Sequence, residues 1–180
     1  MSSPDSKLRP FRAGLFLAAL GLATSLAACN VRPMYGSMSA GASGSLADRM
    51  ALVSVDPIPE RLGQQLRNEL VYVLSNAVDP DNPRYRLTVT VRRSMSRVGI
   101  VPISGTPTAE VLSVTASYRL FDASSGRELT SGDSFANASF DYSNQRYANV
   151  RAERDAEDRA AETIAHDIRT RVGAYLATAE

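Results

Sequence analysis

One cysteine, one histidine, one lysine and no tryptophan occur in this 180-residue chain, and each scarcity excludes something. A single cysteine cannot form an internal disulfide. One histidine, His166, and one cysteine, Cys29, do not make a zinc set. His166 falls between Ile164 and Ile168 on the polar side of a helical pattern, where no Ser/His/Asp triad can be assembled with any specificity. A phosphate loop is missing too, since Gly99 and Gly105 lack a neighbouring lysine and a strand-to-helix setting. Asp155, Glu157 and Asp158 sit in a charged helical stretch and read most simply as i,i+4 partners of arginines. The residues give no positive sign of an enzyme, a cofactor or a metal.

A long apolar run is also lacking. The uncharged stretch Ala13 to Ala28 has sixteen residues, fewer than the roughly 20 that span a hydrocarbon core. Lys7, Arg9 and Arg12 precede it, which is the layout of a cleaved signal peptide. It ends in Leu26-Ala27-Ala28-Cys29, similar to the bacterial lipobox. Small side chains at Ala27 and Ala28 leave room for a membrane-embedded peptidase, and the thiol of Cys29 is the strong nucleophile nearby. Two or more acyl chains would make the attachment durable, at about 0.8 kcal/mol per buried methylene. The plainer alternative is an ordinary cleavage site with Cys29 as a small residue, but a lone thiol in an exported protein is then a liability. The expected organisation is a signal peptide over residues 1–28, a lipidated N-terminus and flexible tether over 29–50, and one domain over 51–180. The tether rests on Ser37 to Ala47, nearly all Ser, Gly, Ala and Met, which buries too little apolar surface to order itself.

Beyond residue 28 the chain carries 17 arginines and 18 acids. That balance gives no reason to expect nucleic acid. The sole lysine, Lys7, lies in the signal peptide, so every later basic residue is an arginine. Arginine is the forked partner of phosphate and carboxylate, although a GC-rich genome produces the same bias without function.

Ala51 to Asp56 reads as a short strand. From Ile58 the apolar positions Leu62, Leu66, Leu70, Val73, Leu74 and Ala77 recur every three or four residues, with Pro59 in the first turn. Period-two alternation then marks Arg84 to Arg97, Leu112 to Leu120 and Arg127 to Tyr142 as half-buried strands, with Gly132 as a bulge candidate. The connection holding Ile100, Val101 and Ile103 has aliphatic residues that either fold back on the sheet or meet a partner. A narrow stripe from Val150 through Ala161, Ile164, Ile168 and Val172 to Leu176 defines a last helix. Glu157 is the stripe position that does not fit, and the charged segment Arg151 to Arg159 is expected on the surface or beyond the sheet. The expected fold class is α+β: a two-layer sandwich with two helices on one face of a four-stranded mixed, mainly antiparallel sheet, in the order β-α-β-β-β-α.

The chain resembles the LPS-assembly lipoprotein family LptE in its alphaproteobacterial form. The carrying residues are the lipobox with Val31-Arg32-Pro33-Met34-Tyr35-Gly36, close to the family's FRPLYG pattern, then the segments from Ile58 to Leu70, Tyr85 to Val91, Ala116 to Asp122 and Ala160 to Leu176. Each is weak alone; their order and spacing carry the resemblance. It implies diacylglycerol and a fatty acid on Cys29, with no other cofactor. It also implies attachment to the periplasmic face of the outer membrane, a partner barrel of the LptD type plugged by this chain, and assistance in moving lipopolysaccharide outward. Basic residues on the sheet would meet lipopolysaccharide, and the nearest candidates are Arg92, Arg93 and Arg97, which can equally be arginines that keep a strand soluble. The rival readings are an auxiliary lipoprotein of a lipid-transporting ABC system and an envelope enzyme.

Overall fold

A computed structural model describes residues 45–75, 78–100 and 107–179. All of them belong to one compact unit, Ser37–Glu180. The signal peptide, Cys29, most of the tether and the apolar residues Val101 to Ile103 lie outside the described residues.

The element order is α1 (Leu46–Met50), β1 (Val53–Val55), α2 (Glu60–Ser75), β2 (Tyr85–Ile100), β3 (Pro107–Asp122), β4 (Glu128–Asp141) and α3 (Arg146–Thr178). The strands form one sheet in the order β1-β2-β3-β4. β1 runs parallel to β2 and the other neighbours are antiparallel. The α+β sandwich and its mixed sheet follow the pattern expected from hydrophobic periodicity.

Alternation divides the sheet into two faces. Tyr85, Leu87 and Val89 of β2, Leu112 through Leu120 at even positions of β3, and Ala136, Ala138 and Phe140 of β4 are buried beneath the helices. Leu66 and Leu70 of α2 and Ile164, Ile168, Val172 and Leu176 of α3 complete that core with no exposed surface. Between Ala156 and Ala165 four of the buried residues of α3 are alanines, Ala156, Ala160, Ala161 and Ala165, and the sheet buries Ala116, Ala136 and Ala138. Small residues on both sides allow a close approach with interior-like packing.

Four local expectations are corrected. The tether does not extend to residue 50: Ser45 and Asp48 form a reciprocal capping box that starts α1, and Met50 is buried in the core. α2 begins at Glu60, so Pro59 precedes the helix, and Glu60 takes a φ of 65°. That turn folds Ile58 back over Gly63, where a Cβ would lie 2.6 Å from Ile58 Cγ2 and 3.0 Å from its backbone carbonyl. The β2 and β3 strands run to Ile100 and from Pro107, so the loop between them is shorter than the span of Val98 to Ala109. Gly132 is not a bulge. The register shift falls near Leu129, between the pairs Leu120↔Thr130 and Phe121↔Glu128, while Gly132 makes room for the Tyr118 ring, whose Oη would be 2.9 Å from a Cβ there.

Candidate functional site

The three arginines singled out from the sequence do not form one site, because strand alternation sends them to opposite faces. Arg92 lies on the open face, opposite Thr115, which in turn faces Phe135 of β4. Arg93 and Arg97 lie on the helix side, past Val89, the last buried residue of β2. Arg93 donates to Glu157 Oε1 at 2.9 Å and to Glu153 Oε1 at 3.1 Å, both on α3. Arg97 Nε donates to Glu110 Oε1 at 3.1 Å.

Glu157 is the centre of this arrangement. Its side chain is 9% exposed, and it accepts from Arg61 of α2 as well as from Arg93 of β2. Arg61 also reaches Asp158 at 3.2 Å. A buried carboxylate is costly unless paired, and here two guanidiniums from different elements satisfy it. The i,i+4 expectation therefore holds for Asp155, which pairs with Arg159, and fails for Glu157 and Asp158, which bond across to α2 and β2. The N-terminal half of α3 is partly drawn in: Ala156 is fully buried, whereas Val150 and Tyr147 remain exposed.

Two recesses share Arg93 and Glu153 as a common wall. One, of about 590 Å³, is lined by Met95, Arg97, Glu110 and Leu112 in addition. The other, of about 290 Å³, lies between the start of α2 and α3, with Arg61, Arg154 and Glu157 in its lining. Each mixes arginines with carboxylates, so an anion approaching Arg61, Arg93 or Arg97 there would have to displace an existing partner.

On the open face, Arg86 and Arg119 both lie over the Phe121 ring, at 5.7 and 5.8 Å from its centroid. Around them the face is rich in hydroxyls: Thr88, Thr90, Ser94, Ser96, Ser113, Thr115 and Ser117 line adjacent strands. Among the described residues Arg92 has neither a carboxylate partner nor an aromatic one, which leaves its fork available. Of the glutamates that hold Arg93 and Arg97, Glu157 is marked in the sequence by its misfit in an apolar stripe, whereas Glu110 and Glu153 carry no such signal.

No group of three or more His, Cys, Asp or Glu side chains among the described residues could hold a metal ion. His166 is exposed on α3. No helix among them is long and apolar enough to cross a membrane.

Comparison with known proteins gives a consistent family. Among solved structures, a protein described as a candidate lipoprotein from Caulobacter crescentus CB15 superposes with a TM-score of 0.65 at 23% identity, covering 74% of this chain and 97% of its own. Lipoprotein B of Nitrosomonas europaea gives a TM-score of 0.53 at 17% identity over 70% of this chain and 84% of its own. A minor lipoprotein of Acinetobacter baumannii gives 0.50 at 17% identity over 68% and 90%. At these identities the likeness establishes a shared fold. No curated protein sequence matches at a significant level. The family model for lipopolysaccharide assembly, LptE, matches residues 48–172, from within α1 to near the end of α3. The chain therefore belongs to the LptE family of lipopolysaccharide-assembly lipoproteins.

Proposed function

We propose that this protein is held by lipid on Cys29 at the periplasmic face of the outer membrane, where it partners and plugs an LptD-type β-barrel and helps lipopolysaccharide reach the outer leaflet. Its role in lipopolysaccharide assembly follows from its family, and that family is not one of enzymes. The single observation that carries the proposal is the match over residues 48–172, which takes in nearly the whole sandwich and not an isolated motif.

Within this reading Cys29 is the attachment point and residues 30–44 are the link to the domain. Of the three arginine candidates, Arg92 is the first choice for a lipid A phosphate, because its guanidinium is exposed on the open face and free of the ion pairs that occupy Arg93 and Arg97. A bidentate arginine matches the geometry of a phosphate.

The test is recovery of the lipidated chain from detergent-solubilised membranes. An outer-membrane barrel should accompany it, and depletion of the chain should stop new lipopolysaccharide from reaching the surface. Recovery with an inner-membrane transporter and no barrel would overturn the proposal.

A further inference from the structure

We infer that the distal half of β2 is a docking edge, on which an extended, acidic segment of a partner protein adds as an antiparallel strand. β1 is three residues long and lies beside Tyr85 to Leu87. The Asp56 amide donates to the Leu87 carbonyl, the Thr88 hydroxyl donates to the Asp56 carboxylate, and the chain then leaves the sheet for α2. β2 continues to Ile100 with β3 on one side, and no described strand lies on the other. The Tyr85 amide donates to Leu52 on the β1 side, so the odd-numbered residues of β2 turn their backbone groups that way. Among the described residues no hydrogen bond reaches those groups of Val91, Arg93, Met95 and Arg97. Every residue from Arg92 to Gly99 is exposed, so the edge is open to solvent. Gly99, with a φ of 71°, ends the regular stretch.

The side chains along this edge select the occupant. Val91, Arg93, Met95 and Arg97 lie on the helix side, and Arg92, Ser94 and Ser96 on the open face. The stretch carries three arginines and no acid, proline or lysine. Glu153, Glu157 and Glu110 pair with Arg93 and Arg97 from α3 and β3, behind the edge, and leave the two side chains 47% and 72% exposed. Charges of one sign turn away a second copy. A β2 paired with its own copy about Met95 would set Arg93 against Arg97 twice, and like charges directly opposite are destabilising. The same arginines attract a strand with acids at those places, so the choice of partner rests on repulsion as well as attraction. On the helix side the recess of about 590 Å³ adjoins the edge, with Arg93, Met95, Arg97 and Leu112 in its lining. An added strand therefore takes an aliphatic residue opposite Met95, acids opposite Arg92, Arg93 and Arg97, and hydroxyls opposite Ser94 and Ser96. Main-chain bonds supply affinity in such strand addition, and alternate side chains supply specificity. Pairing at the four odd-numbered residues would contribute about eight backbone hydrogen bonds.

Amide hydrogen exchange, read residue by residue in the full-length chain in mild detergent, tests the edge. The probe is the acetylated and amidated peptide Glu-Thr-Val-Thr-Glu-Glu-Val, and the control carries arginine in place of its glutamates. Without peptide the amides of Val91, Arg93, Met95 and Arg97 should exchange fast, and those of Arg92, Ser94 and Ser96, bonded to β3, slowly. The acidic peptide should slow the odd-numbered amides and bind about tenfold or more tightly than the control, with the difference shrinking at high salt. Met95→Pro removes one outward N–H, which an edge tolerates. It should abolish the slowing while Ser94 and Ser96 stay protected. Arg92→Glu should shift the preference toward the control peptide, a second reading that stands if Met95→Pro fails to fold. Equal affinity for the two peptides, or slowing on β4 in place of β2, overturns the inference. So do shifts confined to arginine side chains with no amide slowed, which mark an anion contact alone. None of these outcomes bears on whether the chain partners a barrel.

Discussion

Glu157 shows how a single residue can be legible as an anomaly before its cause is known. An acid in an apolar stripe must meet a cation, yet the cations come from Arg61 and Arg93, 96 and 64 residues away in the chain, and no local pattern connects them. Replacing it with Gln should lower stability in urea by about 1–3 kcal/mol, because two guanidiniums lose their shared partner in a nearly closed site. Arg61→Ala should cost less, under about 1 kcal/mol, since that side chain is half exposed and screened. Arg92, by contrast, should be neutral for folding. Arg92→Ala is expected to change the unfolding midpoint little while weakening binding to lipid A vesicles, and Arg93→Ala should do the reverse. Period-two alternation alone already separates Arg92 from Arg93 and Arg97. The glutamates that occupy the latter two belong to β3 and α3, and only the fold brings them there.

At the scale of elements, regular periodicity was sufficient and local chemistry was less so. The strands, the two long helices and their order follow from repeats of two and of three to four. α1 was hidden because its capping box lies in a stretch of Ser, Gly and Ala whose composition reads as linker. Glycine in a strand marks either an irregularity or a close approach, and at Gly132 only the Tyr118 ring distinguishes them. Gly132→Ala should therefore destabilise by about 1–3 kcal/mol through overpacking, and Tyr118→Phe in the same chain should recover part of the loss, since the hydroxyl oxygen is the nearest clashing atom. The β3–β4 turn is fastened by Asp122, which accepts from the Ser124 hydroxyl and from the Ser125 amide and hydroxyl. These bonds hold its carboxyl well below the usual carboxylate range. Its folded pKa is lower than its unfolded one, so its contribution is complete above the unfolded value, declines progressively below it and is gone once pH has fallen through the folded one. The amide signals of Ser124 and Ser125 should thus stay unchanged from neutral pH down to about pH 4.

At the scale of the whole molecule, the anchor and the domain divide the work. Cys29→Ala should release the chain from the membrane fraction while leaving the melting temperature of the domain unaltered, because no described part of the core draws on residues before Leu46. A fall in melting temperature equal to that of a core substitution would contradict this division.

The alanines under α3 carry a consequence of their own. Ala156, Ala160, Ala161 and Ala165 recur at helical spacing and the sheet is itself partly alanine, while Ile164, Ile168, Val172 and Leu176 key into the core and fix the helix along its axis. The alanine-rich half carries few large side chains to hold it in place. There the fork of Arg61 and Arg93 around Glu157 supplies a polar key in their stead. Glu157→Ala should therefore broaden resonances in the N-terminal half of α3 and leave those from Ile164 to Leu176 sharp.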